Sequence, residues 1–135
     1  MAYWLVKSEP GSWPWGDHLK AAKDEWTGVR NPQARAHLKA MKKGDRVFFY
    51  HTGDEKSVVG ISEVVGEAHP DSTDPDWTAV DLRAVEPVKR PVSLAEIKSD
   101  PALKDMVLAR YPRLSVQPVT DAEWKRILQL SGAKV

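Results

Sequence analysis

Trp26-Thr27-Gly28-Val29-Arg30-Asn31-Pro32-Gln33-Ala34-Arg35 joins an aromatic side chain to a helix start flanked by two arginines. Asn31 is a residue type that accepts hydrogen bonds from first-turn N–H groups, and Pro32 has the fixed φ that suits a first helical position. The pattern predicts a helix running from there to about Lys43, with Gly44 as its stop. The first turn of a helix carries partial positive charge, so Arg30 and Arg35 beside it make a place for a phosphate or carboxylate. Trp26 adds a flat apolar face, and an anion next to a flat ring describes a nucleotide. The alternative from this segment alone is that Trp26 is a core residue and the arginines are solvated.

Downstream, Gly44-Asp45 turns into Arg46 to His51, a hydrophobic, aromatic run that suits a buried strand. Thr52 to Lys56 is a turn and Ser57 to Glu67 a strand, in which Gly60 marks a bulge or a close backbone approach. His69 to Pro75 reads as a polar loop, and Trp77 to Val85 alternates as a half-buried strand does. Upstream, Tyr3 to Lys7 is a strand stopped by Pro10-Gly11, and Asp17 to Lys23 a short helix after the loop-like Trp13-Pro14-Trp15-Gly16.

In the last third, Ser93-Leu-Ala-Glu96 and Thr120-Asp-Ala-Glu123 are capping boxes. They open one helix ending near Asp100-Pro101 and a terminal one running through Leu130. Ala102 to Arg110 looks helical and Arg113 to Val119 looks like a returning strand. Strands without regular βα alternation predict an α+β fold: a small, largely antiparallel or mixed β-barrel of about five strands with peripheral helices.

A chain of 135 residues suits a single domain, 1–135, with one sizeable core. Zero cysteines removes disulfide and thiolate chemistry and points to a reducing compartment, the cytoplasm. The opening Met-Ala-Tyr-Trp-Leu-Val-Lys is too short an apolar run for a signal peptide or membrane span, so no membrane partner is expected. Net charge is +1, but it is unevenly spread: Lys20 to Arg46 holds eight basic residues against three acidic, and Glu63 to Asp81 holds six acidic residues with no Lys or Arg. A near-neutral protein binds nucleic acid through a pocket more than through counterion release, which predicts a shallow salt dependence.

Taken in order, five segments closely resemble the EVE domain family. They are Tyr3-Trp-Leu-Val-Lys-Ser-Glu-Pro10, Trp26 to Arg35, Gly44-Asp-Arg-Val-Phe-Phe-Tyr-His51, Val59-Gly-Ile61 and Arg113-Leu-Ser-Val-Gln-Pro-Val119, spanning Tyr3 to about Trp124. The resemblance implies a PUA-like β-barrel, related in architecture to YTH and ASCH domains, that binds nucleic acids or modified nucleobases. It carries over to the pocket Trp4, Lys7, Ser8 and Glu9 from the opening motif, and Trp26, Val29, Arg30 and Asn31 from the segment expected to border the cavity. Tyr50 and His51 follow from the third motif, and Arg113, Leu114, Ser115, Gln117 and Pro118 from the last. Ala36-His37 and the Trp-rich Gly11 to Asp24 stretch depart from the family pattern, at the outer rim.

The residues themselves are compatible with that role. A flipped or single-stranded base needs aromatic faces, which Trp26 and Trp4 or Tyr50 offer, and polar edges, which Ser8, Asn31 and His51 offer. Lys7 and Arg30 are placed to meet phosphates, and Arg35, Lys39, Lys42 and Lys43 make a positive mouth. Against this, Trp4 and Tyr50 equally suit a strand core, Lys7 and Glu9 a surface ion pair, and His51 a strand-end contact. Trp13, Trp15, Trp77 and Trp124 read as packing residues.

Nothing resembles a Walker loop, a Rossmann fingerprint or a Gly-x-Ser-x-Gly elbow, and the four histidines show no metal-ligand spacing. No cofactor is expected. The expected partner is DNA or RNA carrying a modified base, bound by a monomer. Two other readings stand beside this one: an enzyme pairing His51 with Ser8 or Glu9, and a protein-interaction module using the Trp13 to Trp15 segment, the latter turning on whether that segment packs or stands free.

Overall fold

A computed structural model describes residues 1–132. Its elements are β1 (Tyr3–Ser8), α1 (Trp15–Lys20), β2 (Asp24–Glu25), α2 (Pro32–Ala40), β3 (Arg46–His51), β4 (Ser57–Asp71), β5 (Asp74–Ser93), α3 (Leu94–Ser99), α4 (Val107–Arg110), β6 (Val116–Val119) and α5 (Asp121–Leu130). The α+β architecture expected for a PUA-like domain is present, built on six strands in the order β2-β5-β4-β3-β1-β6. Among the described residues only β1 and β3 run parallel; the other pairs are antiparallel. Among the described residues the edge strands β2 and β6 do not pair, so the sheet does not close into a complete barrel.

The run Arg46–His51 is apolar almost throughout because the sheet is covered on both faces. Alternation sends Val47 and Phe49, with Trp4 and Val6 of β1, into one core beneath α2, where they meet Trp26, Leu38, Val80 and Leu82. Phe48 and Tyr50, with Leu5, enter a second core closed by Ile97 of α3, Leu108 of α4, and Trp124 and Ile127 of α5. Trp124 stacks on Phe48 at 3.8 Å between ring centroids and on Tyr3 at 4.4 Å.

Both capping boxes form, and Asn31 caps α2 by accepting from the N–H groups of Gln33 and Ala34. That helix ends at Ala40 and not near Lys43, because Met41 turns extended and buries its side chain while the Lys42 N–H donates to the Asp45 carboxylate at 3.0 Å. Of the expected His69 to Pro75 loop only Ser72-Thr73 is a turn, the rest being strand: β4 runs to Asp71, β5 starts at Asp74, and His69 pairs with Ala79. Polar residues are tolerated there because backbone pairing holds the hairpin end without an apolar face. Helix α1 starts two residues early, at Trp15, and only Val107–Arg110 of the expected Ala102 to Arg110 helix forms, the turns after Asp100-Pro101 taking the rest. Strand β2 gave no signal, since two acidic residues have little strand propensity.

Gly60 shows both features expected of it. The β4–β5 register shifts beside it, and a Cβ at this position would lie 2.5 Å from the Trp15 ring. Trp15 packs edge-on against Phe49 at 5.3 Å, and its backbone N–H donates to His51 Nε2 at 2.9 Å. The Trp13 to Trp15 segment is therefore laid on the sheet and does not stand free, which removes the feature that a protein-interaction module required. Among the described residues no helix is long and apolar enough to cross a membrane.

Gly60→Ala should destabilise the protein by about 1–3 kcal/mol through overpacking against Trp15. Gly11→Ala, where a Cβ meets nothing within 4 Å, should shift stability by no more than about 0.5 kcal/mol. Denaturant unfolding of both variants compares them directly.

Candidate functional site

Beyond Ser8, the chain cannot continue β1 through Pro10-Gly11 and turns back: the N–H groups of Ser12 and Trp13 donate to the Glu9 carbonyl at 3.0 and 2.8 Å, and the Ser8 hydroxyl donates to the Trp13 carbonyl. This turn faces the Asp24–Val29 segment across a cleft of about 480 Å³, within the range of small-ligand pockets. Lys7, Ser8, Glu9 and Ser115 line one side; Asp24, Glu25, Trp26 and Val29 line the other.

One oxygen of Asp24 is fixed from behind. Its Oδ2 accepts from the Trp13 indole N–H at 3.2 Å and from His18 Nδ1, and the other ring nitrogen of His18 meets the Ser62 hydroxyl at 2.8 Å. His18 is fully buried and stacks on Phe49 at 5.0 Å, so the carboxylate rests on the core. Oδ1 has no protein partner among the described residues, which leaves an oriented acceptor on a residue that lines the cleft.

The outer wall is held by Asp71. Its buried carboxylate accepts from the Gly28 N–H at 2.9 Å, Arg30 Nη1 at 3.1 Å, the Thr73 N–H at 2.7 Å and the Thr73 hydroxyl at 2.5 Å. Burial alone would raise its pKa, but the Thr73, Gly28 and Arg30 donors outweigh burial and hold it well below the usual carboxylate range. Gly28 has φ +82°, a left-handed conformation that lets the loop turn its N–H onto Asp71.

The structure brings Lys7, Ser8, Glu9, Trp26, Val29 and Ser115 together in the cleft. Trp26 is 9% exposed, with its ring edge-on to Phe49 at 5.6 Å, so it is a core residue that shows one part of its surface to the cleft and not an open platform. Burial lowers the Lys7 pKa, and its ammonium donates to the Pro112 carbonyl at 2.7 Å. Arg30 spends its guanidinium on Asp71 and Thr73, so the anion expected beside the α2 start is supplied by the protein itself.

Other expected residues lie elsewhere. Trp4 is buried in the core beneath α2, its indole N–H donating to Asp45 at 3.0 Å, and Tyr50 is buried in the second core on the opposite face; neither lines the cleft. His51 is Cα partner to Ser8, but its Nε2 accepts from Trp15, so its Nδ1–H donates to Glu55 at 3.0 Å and no ring lone pair is left for Ser8 or Glu9. Gln117 is buried and donates to the Leu114 carbonyl at 2.9 Å, and Pro118 pairs with Trp4 in β6. Asn31, Arg113 and Leu114 line a separate groove next to the cleft. Arg35 lies over Trp77, 4.6 Å from its centroid, while Lys39, Lys42 and Lys43 sit at the far end of α2 from Asn31.

Sequence reasoning missed Asp24, Glu25, Ser12 and Trp13 as lining residues, and Asp71 as the clamp. The adjacent carboxylates Asp24-Glu25 before Trp26 were the available signal. The cleft is thus lined by three acidic residues, Glu9, Asp24 and Glu25, against the single cation of Lys7; both Glu25 oxygens already accept from Ser72, which leaves Glu9 and Asp24 as its acceptors in a site unfavourable to an anion.

Asp71→Ala should destabilise the protein by about 2–4 kcal/mol, because it strands the Gly28 and Arg30 donors. Since folding depresses this pKa, the stabilisation is present above about pH 4 and is lost as pH falls further. Unfolding free energies of wild type and variant should therefore converge in acid and separate at neutral pH.

The EVE domain profile matches residues 2–130 of this chain. Human thymocyte nuclear protein 1 is 38% identical over 165 aligned positions, which cover 96% of this chain and 73% of that protein. The NMR structure of Rpa0253 from Rhodopseudomonas palustris has a TM-score of 0.92 at 50% identity, covering 98% of this chain and 94% of that one. The crystal structure of human THYN1 protein in complex with 5-methylcytosine containing DNA has a TM-score of 0.88 at 34% identity, covering 100% of both chains.

Proposed function

This chain belongs to the EVE domain family, and from that premise we propose that it is a nucleic-acid-binding module that takes a modified nucleobase, a 5-methylcytosine in DNA, into the cleft beside Trp26. The observation that carries the reading is the lining of that cleft: acceptor carboxylates on a partly aromatic wall, in a chain whose structural relative, human THYN1, was solved with 5-methylcytosine containing DNA.

Carboxylates accept from the exocyclic amine of cytosine, whereas thymine presents an oxygen at the same place. Asp24, fixed through Oδ2 and open at Oδ1, is the best-oriented acceptor, with Glu9 across the cleft. Val29 and the exposed part of Trp26 offer apolar surface to a methyl group. The same carboxylates repel phosphate, so a base reaches this cleft only when single-stranded or flipped from its stack. Binding and not catalysis is the role this supports. The human relative's name describes a nuclear protein, and for this chain we keep a reducing compartment, the cytoplasm, as the proposed location.

Fluorescence anisotropy with labelled oligonucleotides, single- and double-stranded, carrying 5-methylcytosine, cytosine or thymine at one position, tests the reading. A preference of about 5- to 150-fold for the amino-bearing base over thymine is expected, from about 1–3 kcal/mol per base-edge contact. Asp24→Asn and Glu9→Gln should each narrow that preference. Equal affinity for all three bases, or tighter binding of RNA than of DNA, would overturn the reading as stated.

A further inference from the structure

The acidic lining of the cleft raises a question of charge: the base that enters is attached to a phosphodiester strand, and the cleft repels that strand. Two other cavities adjoin. One, bordered by Glu9, Asp54 and Glu55, is again acidic and holds no cation. The other, of about 310 Å³, is lined by Asn31, Gln33, Arg110, Tyr111, Arg113 and their neighbours, with no carboxylate among them.

We infer that this second groove is the subsite for the strand on one side of the bound base, holding its phosphates with Arg110 and Arg113 and stacking the neighbouring base on Tyr111. The inference rests on the proposed placement of a base in the cleft. Continuity of the chain supports it, because the two cavities share one ridge: Val29 lines the cleft and Asn31 the groove, and Ser115 lines the cleft and Arg113 the groove. Lys7 crosses that ridge, its ammonium bound to the Pro112 carbonyl.

The arginines here are also the ones left without internal partners. Of the eight in the chain, Arg30, Arg46, Arg83, Arg90 and Arg126 are paired with carboxylates, and Arg35 is stacked on Trp77. Among the described residues, Arg110 and Arg113 have no carboxylate partner, and both line this groove. Tyr111 between them is 52% exposed, an unusual place for a large aromatic ring, and the Arg110 guanidinium lies 5.9 Å from its centroid. Its backbone is nonetheless fixed, the Tyr111 N–H donating to Val107 at 2.8 Å and its carbonyl accepting from Leu114 at 3.2 Å. A fixed ring with an open face and flanking cations is what single-stranded nucleic-acid sites present. The first turn of α2 adds little, since Asn31 already takes the N–H groups of Gln33 and Ala34.

The test compares two probes on the whole chain: the nucleoside 5-methyl-2′-deoxycytidine, which fills only the cleft, and a single-stranded oligonucleotide carrying the same base. The double variant Arg110→Gln/Arg113→Gln should bind the oligonucleotide at least about tenfold more weakly. It should also flatten the dependence of log affinity on log salt by about 1.4, as loss of two phosphate contacts requires. Tyr111→Ala should weaken oligonucleotide binding about 5- to 150-fold. All three positions are exposed, so thermal midpoints and nucleoside affinity should match wild type. Lys39→Gln/Lys42→Gln, with the same charge change at the far end of α2, should keep oligonucleotide affinity within about twofold of wild type.

Wild-type oligonucleotide affinity and salt slope in the groove variants would overturn the inference while leaving the cleft reading intact. Loss of nucleoside binding in those variants would also overturn it, since the residues would then act on the cleft. Failure of the wild-type protein to bind either probe would defeat the cleft reading, and this inference with it.

Discussion

The buried carboxylate of Asp71 is the contact on which the site geometry depends. It sits at the end of the β4–β5 hairpin and collects the Gly28 N–H and the Arg30 guanidinium from a loop more than forty residues earlier in the chain. That loop carries Val29 in one cavity and Asn31 in the next. Without an anion at this point, Gly28 and Arg30 would present unpaired donors at the cleft rim, and the left-handed turn at Gly28 would have nothing to hold it. The long hairpin thus reaches past the core and brings the Asp71 carboxylate and the Thr73 hydroxyl to that loop.

A second consequence concerns where charge is spent. The α2 start has the residues of an anion site, but Asn31 closes its N–H groups and Asp71 neutralises Arg30. The proposed recognition accordingly uses two neighbouring cavities of opposite character and not the helix end, one lined by acidic residues and one by two arginines. A base and a phosphate make opposite electrostatic demands, which under that proposal separate cavities answer at once. The buried His18-Asp24 contact extends the same logic, because a carboxylate braced on the core is oriented before any ligand arrives.

Much of the fold was legible. Arg46 to His51 was read to its ends because aromatic and β-branched residues have few alternatives to a buried strand, and the two capping boxes placed α3 and α5 because a side chain answering a backbone N–H is a local event. The His69 to Pro75 segment misled because strand pairing there depends on a partner and not on local composition. Of the residues that line the candidate cleft, Lys7, Ser8 and Glu9 at the end of β1 are named by the sequence motif. Trp4 and Tyr50 were not separated from them, since the helices that bury Trp4 on one face of the sheet and Tyr50 on the other are not visible in the local strand pattern. Asp71 was invisible for a further reason: a carboxylate in an acidic run looks solvated until its distant donors are known.

The six tryptophans provide the most direct measurement of the central claim, that the base sits in the cleft of Glu9, Asp24 and Trp26. In a titration with 5-methyl-2′-deoxycytidine followed by NMR, the indole N–H signals of Trp13 and Trp26 should move together and saturate. Those of Trp4, bound to Asp45, and Trp124, stacked on Phe48, should stay in place. Saturable binding that moves Trp77 or Trp124 while leaving Trp13 and Trp26 unshifted would contradict the account.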